Sequence, residues 1–126
     1  MANIVKDTDT TILLTVTDEN ATPIDLTTLA GYVVEVFQKN ILFDKFSKNT
    51  QAGFRDINET DGANGKFEIY LNAENTKNGV IGKEVFFEVK TLTVDANFDN
   101  GTNETSTGAQ CLGELVRSEL KRETFV

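Results

Sequence analysis

Asp95, Asn97 and Asp99 stand at alternate positions in the stretch DANFDNGTNE, the spacing by which a calcium loop presents side-chain oxygens. Such a loop also needs glycine at its sixth position and a bidentate glutamate at its twelfth, and here those positions hold Asn100 and Ser106. The stretch therefore reads as a solvated, turn-rich loop, and no metal is expected. Asp7 with Asp9, or Asp56 with Asp61, have the residue types of a glycosidase acid and base. A sugar cleft needs aromatic stacking surfaces, however, and the chain has no Trp and needs most of its Phe for a core. His is absent, and Ser occurs only at Ser47, Ser106 and Ser118, so the usual carriers of acid-base and serine chemistry are missing. Cys111 is the single cysteine; it closes no internal disulfide and, without His, builds no zinc site. An enzyme is not expected, nor is a cofactor. Asn20, Asn58 and Asn103 each open an Asn-x-Thr sequon, but a chain this rich in Asn and Thr produces sequons by chance.

Binding is the remaining class of function, and the ends of the chain carry its signals. Lys121 and Arg122 form the one adjacent basic pair, next to the apolar end Thr124, Phe125 and Val126. As an anchor, Phe125 would fill a partner's pocket while the basic pair meets acidic groups; as a tail, the segment would simply fray. Near the start, Ile4 and Val5 make ANIVK an apolar arm suited to adding as a strand to a neighbour's sheet edge. The partner-binding candidates are thus Ile4, Val5, Lys121, Arg122 and Phe125. The net charge of −8 repels polyanionic backbones, so nucleic acid is not an expected partner. The first twenty residues lack the apolar stretch of a signal peptide, and no apolar run is long enough for a membrane span. Synthesis in the cytosol and no membrane contact are the expectations.

Whatever positions these residues is expected to be one domain over residues 1–126, all-β. At 39% hydrophobic and 25% charged residues the chain can supply a core, and its heavy use of Thr and Asn favours strands and turns. Alternation predicts a strand in TTILLTVTD with Ile12, Leu14 and Val16 on one face, and another in KFEIYLN with Phe67, Ile69 and Leu71 inward. KEVFFEVKTLTV reads the same way, with Val85, Phe87 and Val89 inward and Phe86 on the outer face. GYVVEVFQK is β-branched and strand-like, whereas ILFDKFSK has no clearly polar face. FRDI reads as a short edge strand, and Leu26 or Leu29 as a plug at the end of the core. The stretch from Val94 to Gly108 reads as a long polar loop. CLGELVRSEL fits helical spacing, or a strand with Leu112, Val116 and Leu120 on one face; Gly113 favours the strand. About seven short antiparallel strands with frequent turns describe an immunoglobulin-like β-sandwich, with a small β-barrel as the alternative.

LLTVTDENATPIDLTTLAGYVVEVFQK resembles the opening of the immunoglobulin-like modules of phage virion proteins, in which a Thr-rich strand leads through an acidic turn and a Pro-x-Asp-Leu-Thr step into a Val-rich strand. NGKFEIYLNAENTKNGVIGKEVFFEVK is similar to their second half, and the resemblance spans roughly residues 7–120. The N-terminal domains of baseplate upper proteins are one such module. Those proteins continue into further domains, so a single module with its own Met1 resembles more a capsid auxiliary or decoration protein, or a baseplate, neck or tail accessory. The resemblance implies a structural role in the virion, with other virion proteins (major capsid protein, tail or baseplate components) and further copies of the chain as partners. An adhesion or carbohydrate-binding module of the same fold is the alternative.

Overall fold

The computed structural model describes residues 3–48 and 52–117. Its strands are β1 (Ile4–Val5), β2 (Thr10–Thr15), β3 (Gly31–Gln38), β4 (Ile41–Ser47), β5 (Arg55–Asp56), β6 (Asn58–Asp61), β7 (Lys66–Leu71), β8 (Glu84–Val94), β9 (Thr102–Ser106) and β10 (Gln110–Val116). The larger sheet has the order β1-β10-β8-β3-β4-β5, with β9 also on β8, and the smaller has the order β2-β7-β6. The chain is an all-β sandwich, and its strand order follows the immunoglobulin-like plan: β3, β8 and β10 carry extra strands beyond β3, opposite a sheet of β2, β7 and β6. Helical structure among the described residues is confined to short 3-10 turns at Leu26–Thr28, Gly62–Asn64 and Ala73–Thr76.

Alternation places the core where the sequence puts it. Phe67, Ile69 and Leu71 of β7 face Val85, Phe87 and Val89 of β8 across the sandwich, all buried, with Leu14 and Val16 beside them. Ile12 is half-buried against the same cluster, and Leu26 is the buried plug while Leu29 packs partly over it. Phe86 points outward, where its ring stacks on Phe37 at 6.1 Å between centroids. The ambiguous β4 has a local cause. Val36 pairs with Asp44 but Phe37 with Leu42, so Phe43 is one extra residue in the ladder. This bulge turns both Phe43 and Phe46 inward although they are three positions apart.

Four expectations are corrected. The described residues form ten strands rather than about seven, and two of the pairings, β1 with β10 and β4 with β5, are parallel. The polar stretch after Val94 is a turn followed by β9, which pairs with β8 from Val94↔Thr102 to Lys90↔Ser106. Its side chains are polar or solvated on both faces, so alternation gave no signal. In β10 a register shift between Cys111 and Gly113 makes Leu115 the fully buried residue, while Leu112 and Val116 are half-buried; Leu120 lies outside the described residues. Finally, ANIVK is not a free arm. Ile4 pairs with Leu115 and Val5 with Val116, and Ile4 is 3% exposed.

Ile4→Ala should lower folding stability by about 2 kcal/mol or more, because it empties a buried site and weakens a two-residue strand. Denaturant titration of the purified domain checks this; an unchanged midpoint would mean that β1 does not dock.

Candidate functional site

The titratable side chains that the fold brings together come from distant parts of the sequence. Tyr32 on β3 is buried, and its hydroxyl donates to Glu59 Oε1 on β6 at 2.9 Å. Lys48, just past β4, lies 3.4 Å from Glu59 Oε2. One carboxylate thereby ties the larger sheet to the smaller at two points. These groups line a cleft of ≈ 270 Å³ at the end of the sandwich, with Leu26, Thr27, Leu29, Ala30 and Gly31 as its other walls. The volume falls below the roughly 300–1,000 Å³ of small-molecule sites, and Glu59 already holds both of its polar neighbours.

Burial, together with the hydrogen bond to Glu59 and its negative charge, pushes the Tyr32 phenol well above the usual tyrosine range. The phenol is therefore a donor locked to a carboxylate and supplies no base. Since its folded value is raised, its stabilising contribution is fully present below the unfolded value near about 10 and is lost as pH rises beyond it. Urea titrations from neutral to strongly alkaline pH should show this loss in the wild type and a shallower one in Tyr32→Phe. Equal slopes would contradict the Tyr32–Glu59 bond.

A second cluster is also structural. Arg55 donates to Asp44 Oδ2 at 2.8 Å and to Asn75 Oδ1 at 3.2 Å, and its guanidinium lies 5.3 Å from the centroid of the Phe46 ring. Asn75 Oδ1 also accepts from the Asn72 N–H, so Arg55 fastens the edge pair β4–β5 to the 3-10 turn at Ala73–Thr76. Gln38 is buried and fully used: its Nε2 donates to the carbonyls of Val80 and Lys83 and its Oε1 accepts the Val80 N–H at 2.7 Å. Sequence reasoning missed all three groups, because pairs such as Tyr32 and Glu59 leave no local spacing to read.

The candidates read from the sequence are dispersed. Asp9 Oδ1 accepts the Ala73 N–H at 2.8 Å, and the backbone N–H of Asp7 donates to Thr76 Oγ1. Asp61 Oδ2 accepts from Asn64, while Asp56 is exposed on β5. Asp95 Oδ1 accepts the Asn97 N–H at 3.0 Å, which orders the turn between β8 and β9. Among the described residues no three His, Cys, Asp or Glu side chains converge as metal ligands would. Cys111 donates to Glu84 Oε2 at 3.0 Å, and this bond and the surrounding protein push the thiol up, away from the reactive thiolate. Of the partner-binding candidates, Ile4 belongs to the core and Val5 is half-buried beside it on β1. Lys121, Arg122 and Phe125 lie outside the described residues.

Apolar side chains do reach the surface elsewhere. Val94 and Phe98, at the β8–β9 hairpin, are 84% and 49% exposed, and Leu13 on the outer face of β2 is 62% exposed. Among the described residues no helix is long and apolar enough to cross a membrane. No family model matches the chain, and no curated protein or solved structure is significantly similar to it. What the fold and its polar groups define is a β-sandwich whose titratable clusters hold sheets and turns together.

Proposed function

We propose that this chain is a phage virion structural protein, in first place a capsid auxiliary or decoration protein that binds the assembled capsid. The observation that carries the reading is the resemblance of residues 7–120 to virion immunoglobulin-like modules, in which strands and turns are the shared features. The polar clusters support it: Tyr32, Glu59, Lys48, Asp44 and Arg55 are engaged with one another in geometries that stiffen the sandwich. A stiff, acidic module acts by contact, and the contacts we assign to it are its exposed surface groups together with Lys121, Arg122 and Phe125, which lie outside the described residues. Ile4 is committed to the core through its pairing with Leu115.

Quantitative mass spectrometry of gradient-purified particles from the source phage tests the proposal. The chain should be present at a fixed ratio to the most abundant shell protein and should survive a salt wash. Removal of Lys121–Val126 should lower that ratio while leaving the melting temperature of the isolated domain unchanged. Absence of the wild-type chain from particles would overturn the reading. The adhesion or carbohydrate-binding alternative would then lead, and the exposed Val94 and Phe98 of the β8–β9 hairpin are the contact surface that favours it.

A further inference from the structure

A sheet edge is a row of unpaired N–H and C=O groups, and proteins normally blunt it with charge, bulges or shortness. Most edges here are blunted. β1 and β5 have two residues each, and those of β5 are Arg55 and Asp56. β6 carries Glu59 and Asp61 and has a register shift between them, and β9 carries Glu104. β2 is the exception. Its six residues, Thr10–Thr15, pair with β7 in unbroken register, and it contains neither charge nor proline. Among the described residues no strand pairs with its other side.

The geometry of that side can be read from the ladder. The Val16 N–H donates to Gly65 O, toward the β7 hairpin, so by antiparallel alternation the backbone groups of Thr11, Leu13 and Thr15 point away from β7. The side chains of the same three residues lie on the outer sheet face, where Leu13 is 62% exposed.

The segment is also nearly palindromic. About Leu13, Thr11 mirrors Thr15 and Ile12 mirrors Leu14. A twofold axis between identical chains sets residue i opposite j and j opposite i, so an axis at Leu13 places like residue types opposite one another, Thr11 with Thr15 and Ile12 with Leu14. We propose that two copies of the chain pair antiparallel through β2 with the twofold axis at Leu13, which joins their smaller sheets into one. Leu13 then covers Leu13 of the second copy, and each Thr11 meets a Thr15, a cross-strand pair able to share a hydrogen bond. On the inner side Ile12, half-buried in the single chain, gains Leu14 of the second copy as its neighbour.

Charge permits the arrangement despite the net −8 of each chain. Nothing charged lies on the paired strands. The carboxylate in the Leu13 row is Glu68, one strand back on β7, so the two copies of Glu68 would be about three strand spacings, or ~14 Å, apart. That exceeds the Debye length of about 8 Å at physiological salt.

Analytical ultracentrifugation of the full chain tests the proposal directly. The wild type should sediment as a species of twice the 13.9 kDa chain mass. Leu13→Lys sets two like charges directly opposite each other and should raise the dimer dissociation constant about tenfold or more, with an unchanged circular dichroism spectrum. A second arm uses cysteine. In a Cys111→Ser background, Leu13→Cys should form a covalent dimer under mild oxidation, since residues opposite in a hydrogen-bonded pair have Cα atoms about 5.5 Å apart, within disulfide reach. Leu42→Cys in the same background, at a position 51% exposed on the larger sheet, should not. A wild type that stays monomeric at millimolar concentration overturns the proposal. So does a dimer indifferent to Leu13→Lys, or a Leu13→Cys variant that cross-links no better than Leu42→Cys.

Discussion

Replacing Phe67 with alanine should cost the fold about 3–5 kcal/mol, a fifth or more of the roughly 5–15 kcal/mol that separates a typical domain from its unfolded state. Phe67 is fully buried in the middle of the smaller sheet, between Leu14 on β2 and Glu59 on β6. Its ring reaches across the sandwich to Tyr32, with centroids 5.7 Å apart and planes tilted by 58°. Truncation thus removes the apolar transfer term, leaves a cavity between two rigid sheets, and loosens the residue that holds Glu59. Thermal melting should fall by ~10 °C or more. Phe67→Leu keeps most of the volume and should cost less than about 2 kcal/mol. Equal melting of wild type and Phe67→Ala would place this side chain outside the core.

Gly65→Ala is expected to be nearly as damaging for a reason that involves no apolar burial. Gly65 ends the turn between β6 and β7 with φ +74, a left-handed conformation that costs an ordinary residue about 1–2 kcal/mol. An added Cβ would also lie 2.6 Å from Val16 O and 2.9 Å from Ile24 O. Both oxygens belong to backbone that cannot swing aside. Val16 O accepts the Ile24 N–H at 2.9 Å, and Gly65 O accepts the Val16 N–H at 2.8 Å, so a shift breaks the contact between the β6–β7 hairpin and the β2–β3 connection. The combined loss should reach about 3 kcal/mol or more. Gly101→Ala separates the two causes. Its φ is +72 but nothing lies within 4 Å of the added Cβ, so it should lose only the conformational part. If both variants melt together, the close approach at Gly65 is not what the geometry implies.

The class of fold and most of the core were legible in the order of residues. In β2, β7 and β8 one face is buried and the other solvated, so hydrophobicity repeats every two residues; Leu14, Phe67, Ile69, Val85, Phe87 and Val89 are where that repeat places them. Composition also determined which residue types the chain has for chemistry, since absent His and a single Cys are properties of the chain alone. Tertiary structure decided everything that depends on register or on distant partners. The bulge at Phe43 and the shift before Gly113 each move side chains to the opposite face, because one extra residue reverses a period-two pattern. β9 was illegible because its pairing rests on backbone groups that every residue carries. Ile4 resembled an arm because two apolar residues near a terminus look the same whether they dock at home or on a neighbour; the pairing with Leu115 is what commits them. The Tyr32–Glu59–Lys48 clasp, whose members are far apart in the chain, exists only once β3, β6 and the end of β4 are stacked around one cleft.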